Sequence, residues 1–147
     1  MQLQPIYNDT KFRQKLRFPR LNISTTLTDM DFVIEKSNIL FVFGEVKETG
    51  KDLAWGQKIL YERVIDAINY NPEKRAIFLQ VWHHNPPPDD ILLEDTVVVK
   101  AYSRCGWQSF DPPINTVAFI EYLLEDTIKE ENKRRLSLQT EIVMHPV

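Results

Sequence analysis

The stretch that decides the fold runs from residue 30 to residue 47 and reads MDFVIEKSNILFVFGEVK. Two runs rich in β-branched and aromatic residues flank Ser37-Asn38, a pair that favours a tight turn. Residues 30–36 are predicted to form one strand. Residues 39–47 begin with five apolar residues in a row, which is typical of a central strand covered on both faces. We therefore expect an antiparallel hairpin centred on the turn.

Helices and further strands are predicted on both sides of this hairpin. Residues 55–69 read as a helix because apolar side chains recur at helical spacing, at Leu60, Val64, Ala67 and Ile68. The other predicted elements are a helix at 8–18, strands at 75–83 and 96–102, a helix at 114–136 with Val117, Ile120, Leu124 and Ile128 inward, and a tail of weak strand character. The order α-β-β-α-β-β-α predicts an α/β fold, a mixed central β-sheet flanked by helices.

The composition bounds the class of protein. A chain of 147 residues with 43% hydrophobic and 27% charged residues suits one globular domain, spanning 1–147. A single cysteine and the lack of any membrane-length or signal-like apolar run predict a cytoplasmic protein with no membrane partner. The net charge of −3 argues against a general polyanion binder, although it leaves room for a local basic patch.

Charged side chains gather at one end of the predicted hairpin. Glu45 and Lys47 alternate with Val46 and therefore share one face of their strand. Asp31 lies almost symmetrically across the turn from Glu45, so the two carboxylates should come close together. A hard divalent cation commonly offsets the repulsion between two such carboxylates, and Mg²⁺ is the default expectation. Asp29 would face the same side as Asp31 and is the alternative or assisting carboxylate.

These residues carry a resemblance to a known superfamily. Asp31, the element Glu45-Val46-Lys47, and the QxxxY pattern of Gln57 and Tyr61 together resemble the PD-(D/E)XK nucleases. Residues 28–68 look like small phage-type and RecB-like members, and the spacing from Glu45 to Gln57 is also similar to the VRR-NUC branch. The resemblance implies a restriction-endonuclease-like fold.

The resemblance also implies a chemistry. It is the hydrolysis of phosphodiester bonds, of DNA more than of RNA, with Mg²⁺ or Mn²⁺. Asp31 and Glu45 would hold the metal, and Lys47 would position water or stabilise charge on the phosphate. Gln57 would orient the water or Lys47, and Tyr61 would face the same way and contact the nucleic acid backbone.

Two features depart from the family pattern. The residue after the first acid is usually small, whereas here Phe32 follows Asp31. Residues 10–20 contain no acid, so the glutamate that some families carry on an N-terminal helix has no counterpart.

The N-terminal segment 11–20 is basic and has two interpretations. It can grip the phosphates of nucleic acid, or it can be the solvated face of a helix with core phenylalanines. Its basic residues are Lys11, Arg13, Lys15, Arg17 and Arg20. Because a domain this small has little surface with which to enclose a duplex, we also expect a homodimer or a partner subunit.

Two alternatives to a nuclease remain open at this point. The first is a catalytically inactive nucleic-acid-binding or protein-interaction module on the same fold. The second is an unrelated α/β protein with a coincidental motif, in which Asp31, Glu45 and Lys47 do not converge.

Overall fold

A computed structural model describes residues 30–144 of the chain. In chain order its elements are β1 (Phe32–Lys36), β2 (Leu40–Glu48), α1 (Trp55–Asn69), β3 (Arg75–His83), β4 (Val97–Ser103), β5 (Gly106–Asn115) and α2 (Thr116–Met144), with a short 3-10 helix at Leu93–Asp95 before β4. The predicted helix at 8–18 lies outside the described residues.

The five strands form one sheet in the order β1-β2-β3-β4-β5. β2 and β3 are parallel, and each of the other neighbouring pairs is antiparallel. A parallel pair needs a crossover connection, and α1 provides it between β2 and β3. The α/β class and the mixed central sheet that the sequence predicts are confirmed.

The two helices pack on opposite faces of this sheet. On one face, Phe43 and Phe78 pack against Tyr61 and Ile65 of α1. On the other, Val42 and Leu79 belong to a cluster with Ile120 and Leu123 of α2. β2 and β3 are therefore covered from both sides, which explains their nearly continuous apolar sequences.

The hairpin of β1 and β2 has the register that the sequence predicts. Ser37 and Asn38 adopt positive φ angles of 56° and 57°, a conformation that matches the twist of a tight hairpin. Phe32 pairs with Gly44 in the resulting register. One step beyond that pair, Asp31 stands opposite Glu45, and the backbone N–H of Val46 donates to Asp31 Oδ2 at 2.7 Å.

Gly44 accounts for the bulky residue at position 32. A Cβ atom built on Gly44 would clash with the ring of Phe32. The ring therefore occupies the space that any side chain at position 44 would need. It packs against the α2-side core, on the face opposite Glu45.

One strand was not predicted from the sequence, and the predicted end of α2 is wrong. Residues 106–115 form edge strand β5, although Pro112 and Pro113 are typical of a loop; an edge strand tolerates residues that lack an N–H donor. Helix α2 continues to Met144, so the predicted end at 136 and the strand character of the following described residues are wrong.

Two of the predicted inward positions are also wrong. Ala67 of α1 and Ile128 of α2 are exposed, and the buried residues of α1 are Tyr61 and Ile65. Polar Tyr61 takes an inward position because its hydroxyl has a partner in the core.

Within residues 30–144, no helix combines the length and apolarity that crossing a membrane requires.

Replacing Gly44 with alanine tests the packing of the hairpin. We expect Gly44→Ala to lower the free energy of unfolding by about 1–3 kcal/mol, because the new methyl group overpacks against Phe32. In a Phe32→Ala background the same substitution should cost clearly less. Urea denaturation of the single and double variants measures the difference.

Gly50 provides the control for that experiment. It has a φ of +88° and no atom within contact distance of an added Cβ. Gly50→Ala should therefore cost the same in both backgrounds, since its strain comes from the backbone alone. Equal costs of Gly44→Ala in the two backgrounds would contradict the proposed clash.

Candidate active site

A buried carboxylate forms the centre of the site. Glu45 lies on β2 and is 4% exposed. Tyr61 donates its hydroxyl to Glu45 Oε2 at 2.7 Å, and Gln57 donates its amide to Glu45 Oε1 at 3.2 Å. Lys47 Nζ lies 3.2 Å from the same Oε1. A charge can be buried in this way only when it is paired and hydrogen-bonded, as it is here.

Gln57 links this carboxylate to the start of a helix. It is the third residue of α1, and its Oε1 accepts from the backbone N–H of Ala54 at 3.3 Å. This is the reciprocal half of a capping box, whereas Ala54 itself has no side-chain oxygen to offer. Because Oε1 faces an N–H, Nε2 is the end of the amide that meets Glu45. One side chain therefore fixes the helix start relative to β2.

Tyr61 holds the carboxylate from inside the core. It lies one helical turn after Gln57, is 0% exposed, and stacks on Phe78 with ring centroids 4.0 Å apart. The predicted contact between Tyr61 and a nucleic acid backbone is therefore wrong, because the hydroxyl is directed at Glu45 and no part of the side chain reaches the surface. Its role is to position Glu45.

Lys47 and Asp31 form the accessible part of the site. The ammonium group of Lys47 lies on the same face as Glu45, as strand alternation predicts, and its side chain is 28% exposed. Asp31 is exposed and lies immediately before β1, the neighbouring strand. Glu45 and Lys47 are in contact, and Asp31 binds the backbone of Val46 between them, so the three residues lie at the same end of the hairpin.

Asp31 and Glu45, the metal ligands that the sequence predicts, lie at opposing positions of the β1–β2 hairpin. Among residues 30–144, no group of three or more His, Cys, Asp or Glu side chains converges in a way that could hold a metal ion. The supporting Asp29 and the basic residues Lys11, Arg13, Lys15, Arg17 and Arg20 lie outside the described residues.

A polar row, which was not predicted from the sequence, continues from Glu45 across the sheet. In the strand register, Glu45 pairs with Gln80, Gln80 with Lys100, and Lys100 with Ser109. Paired residues of neighbouring strands face the same side, so the row lies on the α1 face. The available signal was the single polar residue in the run AIFLQVW of β3, at the position that Glu45 occupies in β2.

Asp52, in the loop between β2 and α1, contacts two residues of this row, Gln80 and Lys100. Gln80 donates its amide to Asp52 Oδ1 at 3.1 Å, and Lys100 Nζ lies 3.5 Å from the same oxygen. The hydrogen bond from Gln80 and, next, the charge of Lys100 lower the pKa of Asp52 below its ordinary value of 3.8. The loop is thereby tied to β3 and β4.

Comparisons with known proteins give no relative for this chain. No family model matches it, and no curated protein and no solved structure matches it either.

Removing the hydroxyl of Tyr61 tests its role in holding Glu45. We expect Tyr61→Phe to lower the free energy of unfolding by about 1.5–3 kcal/mol, because a buried carboxylate loses a hydrogen bond and no water replaces it. The ring and its stacking on Phe78 are retained. Chemical denaturation at neutral pH measures the loss.

Tyr102→Phe is the matched control. Tyr102 also donates to a carboxylate, Asp66 Oδ1 at 2.8 Å, but Asp66 is exposed to water. We expect a loss of only about 0.5–1 kcal/mol, since solvent takes over the hydrogen bond. The proposed role of Tyr61 fails if both substitutions cost the same.

The pKa of Asp52 gives a second test of the site geometry. Gln80→Leu should raise this pKa toward 3.8, and Lys100→Met should raise it by less, in the order of the two causes. Because the folded pKa lies below the unfolded one, the stability that Asp52 contributes is present at neutral pH and is lost as the pH falls. Carbon-13 NMR titration of the Asp52 carboxyl follows the change, and an unaltered pKa in both variants would reject the arrangement.

Proposed function

We propose that this protein is a metal-dependent nuclease of the PD-(D/E)XK type, which hydrolyses phosphodiester bonds of nucleic acid, DNA more than RNA. The observation that carries the proposal is the assembly around Glu45. One buried carboxylate, one lysine two residues later and one exposed carboxylate just before the adjacent strand lie at the same end of the hairpin. A helical glutamine and tyrosine fix the buried carboxylate in place.

The topology supports the same proposal. An antiparallel hairpin leads into α1, and α1 crosses to a parallel strand that lies beside β2. Glu45 and Lys47 then sit at the carboxyl end of a central strand, which is where α/β sheets commonly carry their sites. We propose that this is a restriction-endonuclease-like core, in which α2 covers the opposite face.

The chemistry of the two carboxylates fits the metal that we propose. Mg²⁺ commonly binds through one or two protein carboxylates and completes its shell with water and substrate phosphate, so Asp31 and Glu45 suffice. A carboxylate offers about four acceptor positions, and Asp31 uses one of them on the N–H of Val46. When bound, Mg²⁺ or Mn²⁺ would supply Lewis-acid activation of the phosphate and of water.

The protein's own side chains would supply orientation and charge. Lys47 would stabilise negative charge that builds on the phosphate oxygens, because its ammonium group lies beside the Glu45 carboxylate and is partly open to solvent. Gln57 and Tyr61 would keep Glu45 in one orientation. The cost of ordering these groups is met during folding, so none of them needs to rearrange when the substrate binds.

A second candidate function is supported by the burial of Glu45. With three donors around it and 4% of its surface exposed, Glu45 is also well suited to a purely structural role. The chain would then be a catalytically inactive nucleic-acid-binding module on the same fold. The two candidates differ in whether removal of the carboxylate charge abolishes an activity or only reduces stability.

Cleavage assays on the site variants distinguish these candidates. We expect the wild-type chain to cut one or more of linear, circular, single-stranded and branched DNA or RNA when Mg²⁺ or Mn²⁺ is present. Lys47→Met and Glu45→Gln should each reduce the rate by about 10²–10³-fold, because charge stabilisation or metal binding is lost. Folding of each variant is checked by circular dichroism.

Glu48→Gln is the matched control. Glu48 is a carboxylate on the same strand but faces the other side, is exposed, and pairs with Lys51 at 3.5 Å. Its replacement should leave cleavage unchanged. Cleavage that needs no metal, or that survives in both site variants, would reject the nuclease proposal. Folded wild-type protein that binds nucleic acid and cuts no substrate would favour the inactive module.

A further inference from the structure

The polar row beyond Glu45 opens onto cavities that the proposed catalytic residues do not use. One cavity, of about 240 Å³, is lined among the described residues by Asp52, Leu53, Lys58, Gln80, Lys100, Trp107 and Ser109. A second, of about 390 Å³, is lined by Gly50, Asp52, Trp82, Val99, Lys100, Phe110, Asp111 and Pro113. Asp52 and Lys100 belong to both cavities, so their ion pair stands where the two meet.

We propose that Lys100, assisted by Lys58, binds a backbone phosphate of the nucleic acid strand other than the phosphate that is cleaved. The proposal deepens the function proposed above and rests on it for the identity of the ligand. The site lies in the smaller cavity, and its ligand is the sugar–phosphate backbone, whatever the base sequence.

The position of Lys100 supports this assignment. Lys100 lies in the same row as Glu45 and two strands away, which corresponds to roughly 10 Å at the usual spacing of strands. A strand of nucleic acid has one phosphate about every 3.4 Å along its axis. A nucleic acid strand that follows this row, with one phosphate at Lys47, therefore has another phosphate within reach of Lys100.

The charge in the cavity supports it as well. Acidic residues outnumber basic ones in the described part of the chain, yet two lysines flank this one cavity. Lys58 Nζ lies 5.4 Å from the centroid of the Trp107 ring, which holds the ammonium group at the cavity wall. Lys100 lies between the buried residues Val99 and Ala101 of β4, so its backbone is fixed.

The present partner of Lys100 can be exchanged for a phosphate. Asp52 is held near Lys100 by the amide of Gln80, and the side chains of the ion pair are 42% and 74% exposed. An ion pair with this degree of exposure to water contributes little to stability. A phosphate offers the same charge-assisted contact, with the addition of Lys58, and releases counterions when it binds.

Two substitutions that break the same ion pair test the proposal. Binding of a labelled oligonucleotide to the full chain is measured by fluorescence anisotropy in EDTA, over a series of salt concentrations. Lys100→Met should weaken binding on every sequence and reduce the slope of log K against log salt by about 0.7–0.9, the value for one phosphate contact. Asp52→Asn should instead tighten binding, because it removes a competing negative charge.

The opposite signs separate a phosphate site from a structural tie. If the Asp52–Lys100 pair only anchors the loop, both substitutions should weaken binding and lower the melting temperature together, and that result would overturn the proposal. Lys129→Met is the control, because Lys129 lies exposed on α2, on the other face of the sheet. Its replacement should change neither the slope nor the affinity.

The outcome can be separated from the outcome of the cleavage assay. If the chain cuts nucleic acid but Lys100→Met keeps the wild-type slope, the proposed nuclease stands and this inference fails. If no substrate is cut but the slope falls, the phosphate site stands in an inactive binding module. Failure of the wild-type chain to bind any oligonucleotide overturns the inference.

Discussion

The burial of the Glu45 carboxylate is the constraint on which the rest of this structure depends. A charge in that position is tolerated only with donors on both oxygens, and these come from Tyr61, Gln57 and Lys47. Two of these donors lie on α1, so the helix must cross the sheet at one place and in one rotation. The same requirement brings Tyr61 into the core, where its ring stacks on Phe78. The residues that pack the core on this face therefore also hold the site in place.

Much of the architecture could be predicted because its signals are local and strong. The long apolar runs of β2 and β3 and the apolar spacing of α1 determine their types and nearly their ends. The near-symmetry of Asp31 and Glu45 about the turn predicted their pairing. Edge strand β5 was not predicted because two adjacent prolines are typical of a loop. Its strand character arises only from pairing with β4.

The site was predictable in part, for a related reason. Glu45 and Lys47 could be assigned to one face from alternation alone. Gln80, Lys100 and Asp52 could not, because their alignment depends on the register between strands that are distant in the sequence. The burial of Tyr61 could not be predicted either, because a tyrosine on an amphipathic helix can lie in the core or at the surface.

The packing of Phe32 against Gly44 predicts how these two positions change together during evolution. The two positions lie directly across the hairpin, and the ring of one fills the space above the other. A slip of one residue in this hairpin would turn Asp31 and Glu45 to opposite faces, so the fit of this pair protects the site on the reverse side of the sheet. Proteins that descend from a common ancestor with this hairpin should therefore show covariation here. A small residue at position 32 should accompany a larger one at position 44, and glycine should persist at position 44 wherever the aromatic ring is kept.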